Sequence, residues 1–112
     1  MNFLLDTHII LWWLAAAPEL SESEKQLIEN RQHRILISAA SLWEINIKTA
    51  IGKLKIAPEY VEILREDGFE MLEINWFHTQ KILDLPTIHN DPFDRMLIAQ
   101  AITENANQGQ MD

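Results

Sequence analysis

No cysteine occurs among the 112 residues, which excludes disulfides and thiolate metal sites. No apolar run spans a bilayer: the longest, Ile9 to Ala17, falls well short of the roughly 20 residues a transmembrane helix needs. The chain opens without a signal peptide, which together with the missing cysteines points to the cytoplasm. Repeats, low-complexity tracts and linkers are also missing. Cationic side chains are scarce, with 9 Lys and Arg against 17 Asp and Glu and a formal net charge of -8. So acidic a chain is unsuited to broad electrostatic binding of nucleic acid, which needs Lys and Arg to release counterions. It suits a protein that gathers carboxylates around a divalent cation, or one with a basic protein partner.

What remains is an ordinary globular composition, 47% apolar and 23% charged, with length for one domain and a modest core. Residues 2–5 read as a buried strand and Thr7 to Ala15 as a helix, broken at Pro18. Ser21-Glu22-Ser23-Glu24 is a capping-box signal for a helix to about Arg31. Ile35-Leu36-Ile37 is a short strand, and Ser38 caps a helix ending near Gly52. Pro58 opens another helix, closed by Gly68. Glu70 to Ile74 reads as a third strand and Trp76 to Leu83 as a short helix. After a loop with Pro86, Asp91-Pro92 starts a helix to about Asn105. Residues 106–112 are polar and read as a frayed tail beyond a domain of residues 1–105. Strands alternating with helices predict an α/β fold with a parallel sheet, whose sites form at the carboxyl ends of the strands.

Four carboxylates stand apart from the solvated majority. Asp6 lies between two apolar runs, at the tip of the first strand. It is either the N-cap of the first helix or part of a site, at even odds on its own. Glu44 sits at the edge of an apolar helix face. It can pair with Lys48 at i+4, or close a Ser41-x-x-Glu44 capping box if the helix starts late. Asp91 precedes Pro92 in an ideal N-cap position, and Asp94 then falls at N3, where an acid complements the helix dipole. Structural roles account for each acid singly and for the set less well. Three separate segments present acids beside apolar runs, and the topology can bring them to one sheet edge. Clustered carboxylates need a neutralising cation, and oxygen-only ligands suit Mg²⁺ or Mn²⁺.

The same residues carry a resemblance. Leu4-Leu5-Asp6-Thr7-His8 with Leu11-Trp12, then Ile37-Ser38-Ala39-Ala40-Ser41-Leu42-Trp43-Glu44, then His89-Asn90-Asp91-Pro92-Phe93-Asp94-Arg95-Met96-Leu97-Ile98-Ala99-Gln100-Ala101 occur in this order. Over about residues 1 to 105 the chain resembles the PIN-domain ribonuclease toxins of type II toxin–antitoxin pairs, the VapC-like proteins. The resemblance implies a three-layer PIN fold and a metal-dependent endoribonuclease held inactive by an antitoxin. Asp6, Glu44 and Asp94 would hold Mg²⁺ or Mn²⁺, with Asp91 ranked below Asp94. Thr7, His8 and Arg95 are candidates for substrate or water contacts, each with a structural role as its plain alternative. Family members usually continue into a further core strand bearing a Thr-x-Asp motif. No apolar strand is visible after Ile102, and Asp112 is a poor substitute. The chain therefore looks like a shortened member with its final strand missing, an exposed edge that invites homodimerisation, and one ligand fewer. The alternative function is an impaired toxin that only docks its antitoxin or a second copy. A carboxylate phosphatase is disfavoured, because position 8 is His where an Asp-x-Asp nucleophile motif would place an acid.

Among other residues, Lys48, Lys53 and Lys55 form a basic cluster that reads mainly as a solvated face. Of the four tryptophans, one of the pair Trp12/Trp13 is expected near the surface, under a partner. Core packing is the default for Trp43 and Trp76.

Overall fold

The computed structural model describes residues 1–86 and 91–109. The His89-Asn90 start of the last motif and Asp112 lie outside the described residues. Four strands, β1 (Asn2–Leu5), β2 (Arg34–Ser38), β3 (Glu70–Leu72) and β4 (Asn107–Gly109), form one sheet in the order β3-β2-β1-β4. Every pairing is parallel, with Leu4 opposite Leu36 and Ile37 opposite Met71. Six helices surround it: α1 (Thr7–Ala15), α2 (Glu22–Glu29), α3 (Ala39–Ala50), α4 (Tyr60–Glu66), α5 (Trp76–Lys81) and α6 (Pro92–Thr103).

Alternation along the strands divides the interior in two. Phe3, Leu5, Ile35 and Ile37 face a larger core closed by Ile9 and Ile10 of α1, Ile28 of α2, Ile45 of α3 and Leu64 of α4. Leu4 and Leu36 face the other way, onto Leu97 and Ala101 of α6, with Ala40 of α3. Helix α3 serves both cores and therefore sits where the sheet ends. The result is the expected α/β arrangement of helices on both faces of a parallel sheet. No helix among the described residues is long and apolar enough to cross a membrane.

Three sequence-based expectations are corrected. Residues 107–109, expected in a polar tail without a further strand, form β4, which pairs with β1, Leu4 opposite Gln108 and Leu5 opposite Gly109. Its cause is the end of α6. Asn105 adopts a left-handed φ of 53°, the Ala106 N–H donates to Ala101 O at 2.8 Å, and the Asn105 N–H donates to Ile102 O at 3.3 Å. This reverse turn, suited to Asn, returns the chain alongside β1. Backbone pairing then needs no apolar side chain. The expected helix to Leu83 stops at Lys81 and continues as a 3₁₀ turn over Ile82–Asp84. Among the tryptophans, the core packing expected of Trp43 and Trp76 fails, while Trp12 and Trp13, half-buried at the border of the larger core, agree with the expected place near the surface, the Trp13 Nε1–H donating to Asp67 Oδ2 at 2.9 Å. The exposed pair is Trp43 and Trp76.

Ala16 ends α1 with a left-handed φ of 49°, a conformation strained by its Cβ. Ala16→Gly should raise stability by about 0.5–1 kcal/mol in chemical denaturation, the relief of strain exceeding the entropy added to the unfolded chain. Tyr60, the sole tyrosine, is buried, and this pushes its hydroxyl above the usual 10.0 despite the hydrogen bond to Asn46. Its neutral form is thus favoured by folding. The associated stability is complete below the ordinary tyrosine value and declines as pH rises above it. Ultraviolet difference titration should place ionisation of the folded protein above that of the urea-unfolded chain.

Candidate functional site

Each predicted acid lies at or near the start of a helix that follows the carboxyl edge of the sheet. Leu5 ends β1 fully buried, and Asp6 turns the chain into α1 with extended backbone, its Oδ1 accepting the His8 N–H at 2.9 Å. The His8 ring also approaches Oδ1, at 3.3 Å. At α6, Asp91 Oδ1 accepts the N–H groups of Phe93 (2.9 Å) and Asp94 (3.4 Å), with Pro92 in the first turn. Helix α3 starts at Ala39, capped by Ser38, so Glu44 lies in its second turn and closes no capping box with Ser41. Glu44 Oε2 accepts from Lys48 Nζ at 2.9 Å, the i+4 pairing expected of it. The cap and ion-pair roles are therefore all present. Each of these interactions uses one carboxylate oxygen. Oδ2 of Asp6, Oε1 of Glu44 and Oδ2 of Asp91 take no part in them.

Two contacts bring the three segments together. Thr7, buried, donates from Oγ1 to Ser41 Oγ at 3.0 Å and ties the first turn of α1 to α3. The rings of Trp43 and Phe93 meet edge-on, centroids 5.2 Å apart, and tie α3 to the first turn of α6. Asp6 adjoins Thr7, Glu44 adjoins Trp43 and Asp94 adjoins Phe93. The carboxylates of Asp6 and Glu44 are shielded, with side chains 14% and 12% exposed.

Among the described residues no three His, Asp or Glu side chains gather closely enough to enclose a metal. The acids sit at one edge without forming a closed cage. That fits a magnesium-type site, in which one or two carboxylates and retained waters suffice and the substrate phosphate completes the shell. The oxygen-only donor set suits the same ions. Releasing Glu44 from Lys48 would cost little. Lys48 is 45% exposed, and i,i+4 pairs of this kind contribute only about 0.3–0.5 kcal/mol.

The other candidates have defined partners. Arg95 donates to Pro86 O at 2.8 Å and to Ile82 O at 3.1 Å, clamping the chain between α5 and α6. His8 stands 72% exposed beside Asp6.

Sequence reasoning missed a buried polar chain behind the acids. Ser38 Oγ caps α3 and donates to Gln100 Oε1 at 2.5 Å. Gln100 Nε2 donates to Glu73 O and His78 Nδ1, both at 3.4 Å. The Asn75 N–H also donates to His78 Nδ1, leaving the ring proton on Nε2, which donates to Glu104 Oε2 at 2.9 Å. Ser38, His78 and Gln100 are fully buried. The available signal was Gln100 itself, a polar residue inside the apolar run from Met96 to Ala101. Gln100→Leu should cost about 1–3 kcal/mol by chemical denaturation, because the Ser38 hydroxyl loses its acceptor in the interior.

A small α/β protein with acids along the carboxyl edge of a parallel sheet is the class that this geometry defines. The PIN domain model matches residues 3–108, and the chain belongs to the PIN domain family. Among solved structures, it is similar to a chain of VapBC2 from Rickettsia felis bound to a DNA fragment from its promoter. The TM-score there is 0.71 at 21% identity, over 96% of this chain and 86% of that one. A chain of DNA-bound VapBC from Salmonella typhimurium matches with a TM-score of 0.64 at 21% identity, over 95% and 83% of the respective chains. At such identity the likeness speaks for the fold. No curated protein matches the chain.

Proposed function

We propose that this PIN domain is a divalent-metal-dependent endoribonuclease and the toxin of a VapBC-like toxin–antitoxin pair. The observation that carries the reading is the joining of the Asp6, Glu44 and Asp94 segments at one sheet edge, through Thr7–Ser41 and Trp43–Phe93. Asp6, Glu44 and Asp94 would hold Mg²⁺ or Mn²⁺, partly through water, with Asp91 in support. When bound, such an ion lends positive charge to a phosphodiester and acidifies water for its hydrolysis.

The chain's own residues prepare the site. Asp6 and Asp91 are held at their caps by backbone N–H groups, which leaves one oxygen of each directed by the cap geometry. The Thr7–Ser41 bond fixes the register of α1 on α3. Lys48, paired with Glu44 at 2.9 Å and half-exposed, would be displaced if Glu44 held a cation and could then face an RNA phosphate. His8 provides an exposed ring for substrate contact. For the antitoxin we assign the groove of about 490 Å³ along α1 and α4, whose walls include Trp12, Trp13, Leu54, Ile56 and Ile63. An apolar helix would fit it. Both similar solved structures are VapBC complexes, which supports an antitoxin partner. A homodimer, expected from the sequence on a missing strand, loses that motive, since β4 covers β1. The second reading, a docking module without catalysis, draws on Lys48 neutralising Glu44 in this structure.

Purified protein with Mn²⁺ should cleave unstructured RNA, and EDTA should abolish the cleavage. Asp6→Asn, Glu44→Gln and Asp94→Asn should each slow it by on the order of 100-fold or more, several kcal/mol of charge stabilisation. Mn²⁺ at 100 times its Kd should also stabilise the fold by about 2.7 kcal/mol, an effect lost in Asp6→Asn. Cleavage that survives both EDTA and Asp6→Asn would overturn the ribonuclease reading.

A further inference from the structure

The contacts between α3 and α6 form a ladder. Ser38, the N-cap of α3, donates to Gln100 of α6. Ala40 and Leu97 share the smaller core. Trp43 meets Phe93 edge-on. Successive rungs advance along α3 while they retreat along α6 towards its first turn, so the two helices run in opposite senses here. On α6 the rungs are Phe93, Leu97 and Gln100, at i, i+4 and i+7, one stripe of the helix. Glu44 and Asp94 each lie six residues from the Ser38–Gln100 bond, about 9 Å of helix. Equal spans measured from one bond, in helices of opposite sense, bring the two acid-bearing turns level with each other. We propose that Gln100 is a positioning residue for the acidic edge: its bond to Ser38 sets the axial register of α6 against α3, and with it the spacing of Glu44 and Asp94 for a divalent cation. This inference rests on the metal reading above and adds to it a buried residue that touches no cation.

A polar rung fixes register in a way that the apolar rungs do not. Apolar burial is non-directional and tolerates sliding, whereas a hydrogen bond demands a narrow range of distance and angle. The Gln100 amide is also held against rotation. With Oε1 taken by Ser38, Nε2 donates to Glu73 O and His78 Nδ1. His78 is itself oriented by the Asn75 N–H and by Glu104. Ser38, Gln100 and His78 are fully buried, so no water replaces a lost partner. The competing role is stability alone. Positioning is favoured by where the bond lies: Ser38 caps the helix that carries Glu44, and Gln100 rides on the helix that carries Asp94. A bond needed only to satisfy buried polar groups has no reason to join these two helices at matched distances from their acids.

Calorimetric titration with Mn²⁺ separates positioning from stability. It compares wild type, Gln100→Leu and Ile28→Val at a temperature where circular dichroism shows all three folded. Ile28→Val thins the larger core at α2 and leaves the ladder intact. Gln100→Leu should raise the Mn²⁺ Kd by about ten-fold or more, as changes behind metal-binding side chains do, while Ile28→Val leaves it unchanged. If Gln100→Leu does not fold, Gln100→Met, of similar length and without the acceptor, takes its place. The double variant Ser38→Ala with Gln100→Leu should bind Mn²⁺ as weakly as Ser38→Ala alone, because both changes remove one bond. Wild-type affinity in Gln100→Leu overturns the proposal. So does an equal loss in Ile28→Val, or additive losses in the double variant. Should wild type bind no Mn²⁺, the metal reading falls separately and the register is decided without metal. Spin labels at Ala50→Cys and Thr103→Cys, unique in a chain with no native cysteine, report the distance between α3 and α6 by pulsed electron paramagnetic resonance in samples diluted with unlabelled protein. A shifted or broadened distance in Gln100→Leu supports the register role, and an unchanged distribution overturns it.

Discussion

The parallel pairing of β1 with its neighbours is the constraint on which the rest depends. Parallel strands point their carboxyl ends to one edge, and each must be followed by a crossover that returns the chain to the opposite edge. Here the crossovers begin with helices at α1 and α3, so Asp6 and Ser38 emerge side by side. Leu4, Leu5, Leu36 and Ile37 are buried on both faces of the sheet. Polar groups at the tips of such strands have no water to turn to and must find partners. They find them in helix caps, in the Thr7–Ser41 strap and in the chain from Ser38 to Glu104. The carboxyl edge thus becomes polar and ordered because the strands beneath it are apolar and parallel.

Where local chemistry was strong, the sequence was legible to the residue. An apolar run closed by Asp6 defined β1 and α1, the Ser21–Glu24 box opened α2, and Asp91-Pro92 opened α6. Strand β4 was illegible because nothing in Asn107-Gln108-Gly109 alternates. Its position comes from the left-handed turn at Asn105 and from unpaired backbone groups on the edge of β1, and neither leaves a side-chain pattern. Trp43 and Trp76 were misjudged for a related reason. Hydrophobicity ranks Trp12, Trp13, Trp43 and Trp76 alike, while exposure depends on which helix face meets the sheet.

The candidate acids were each visible as charges beside apolar runs, and their order matched a family pattern. Their meeting was not visible. It runs through Thr7–Ser41, separated by 34 positions, and Trp43–Phe93, separated by 50, contacts that only the crossover topology creates. Ser38 and Gln100, 62 positions apart, join by the same topology. Ser38 was read as a cap, which it is, and that reading hid its second bond.

The same economy of atoms leaves Asp6 able to serve both roles that the sequence offered. As a sequence feature it had to be a helix cap or a metal ligand. In the fold it caps with Oδ1 alone, and Asp91 does likewise. A cap contributes about 1 kcal/mol and holds the carboxylate in one orientation. An oriented carboxylate loses less entropy on meeting a cation than a free one, so capping would favour the coordination proposed for the second oxygen. Glu44 differs, being held by a half-exposed lysine whose attraction is weak and screened. The edge therefore combines acids fixed by backbone with one acid on a releasable tether, which would suit the hydrated divalent ion proposed to bind there.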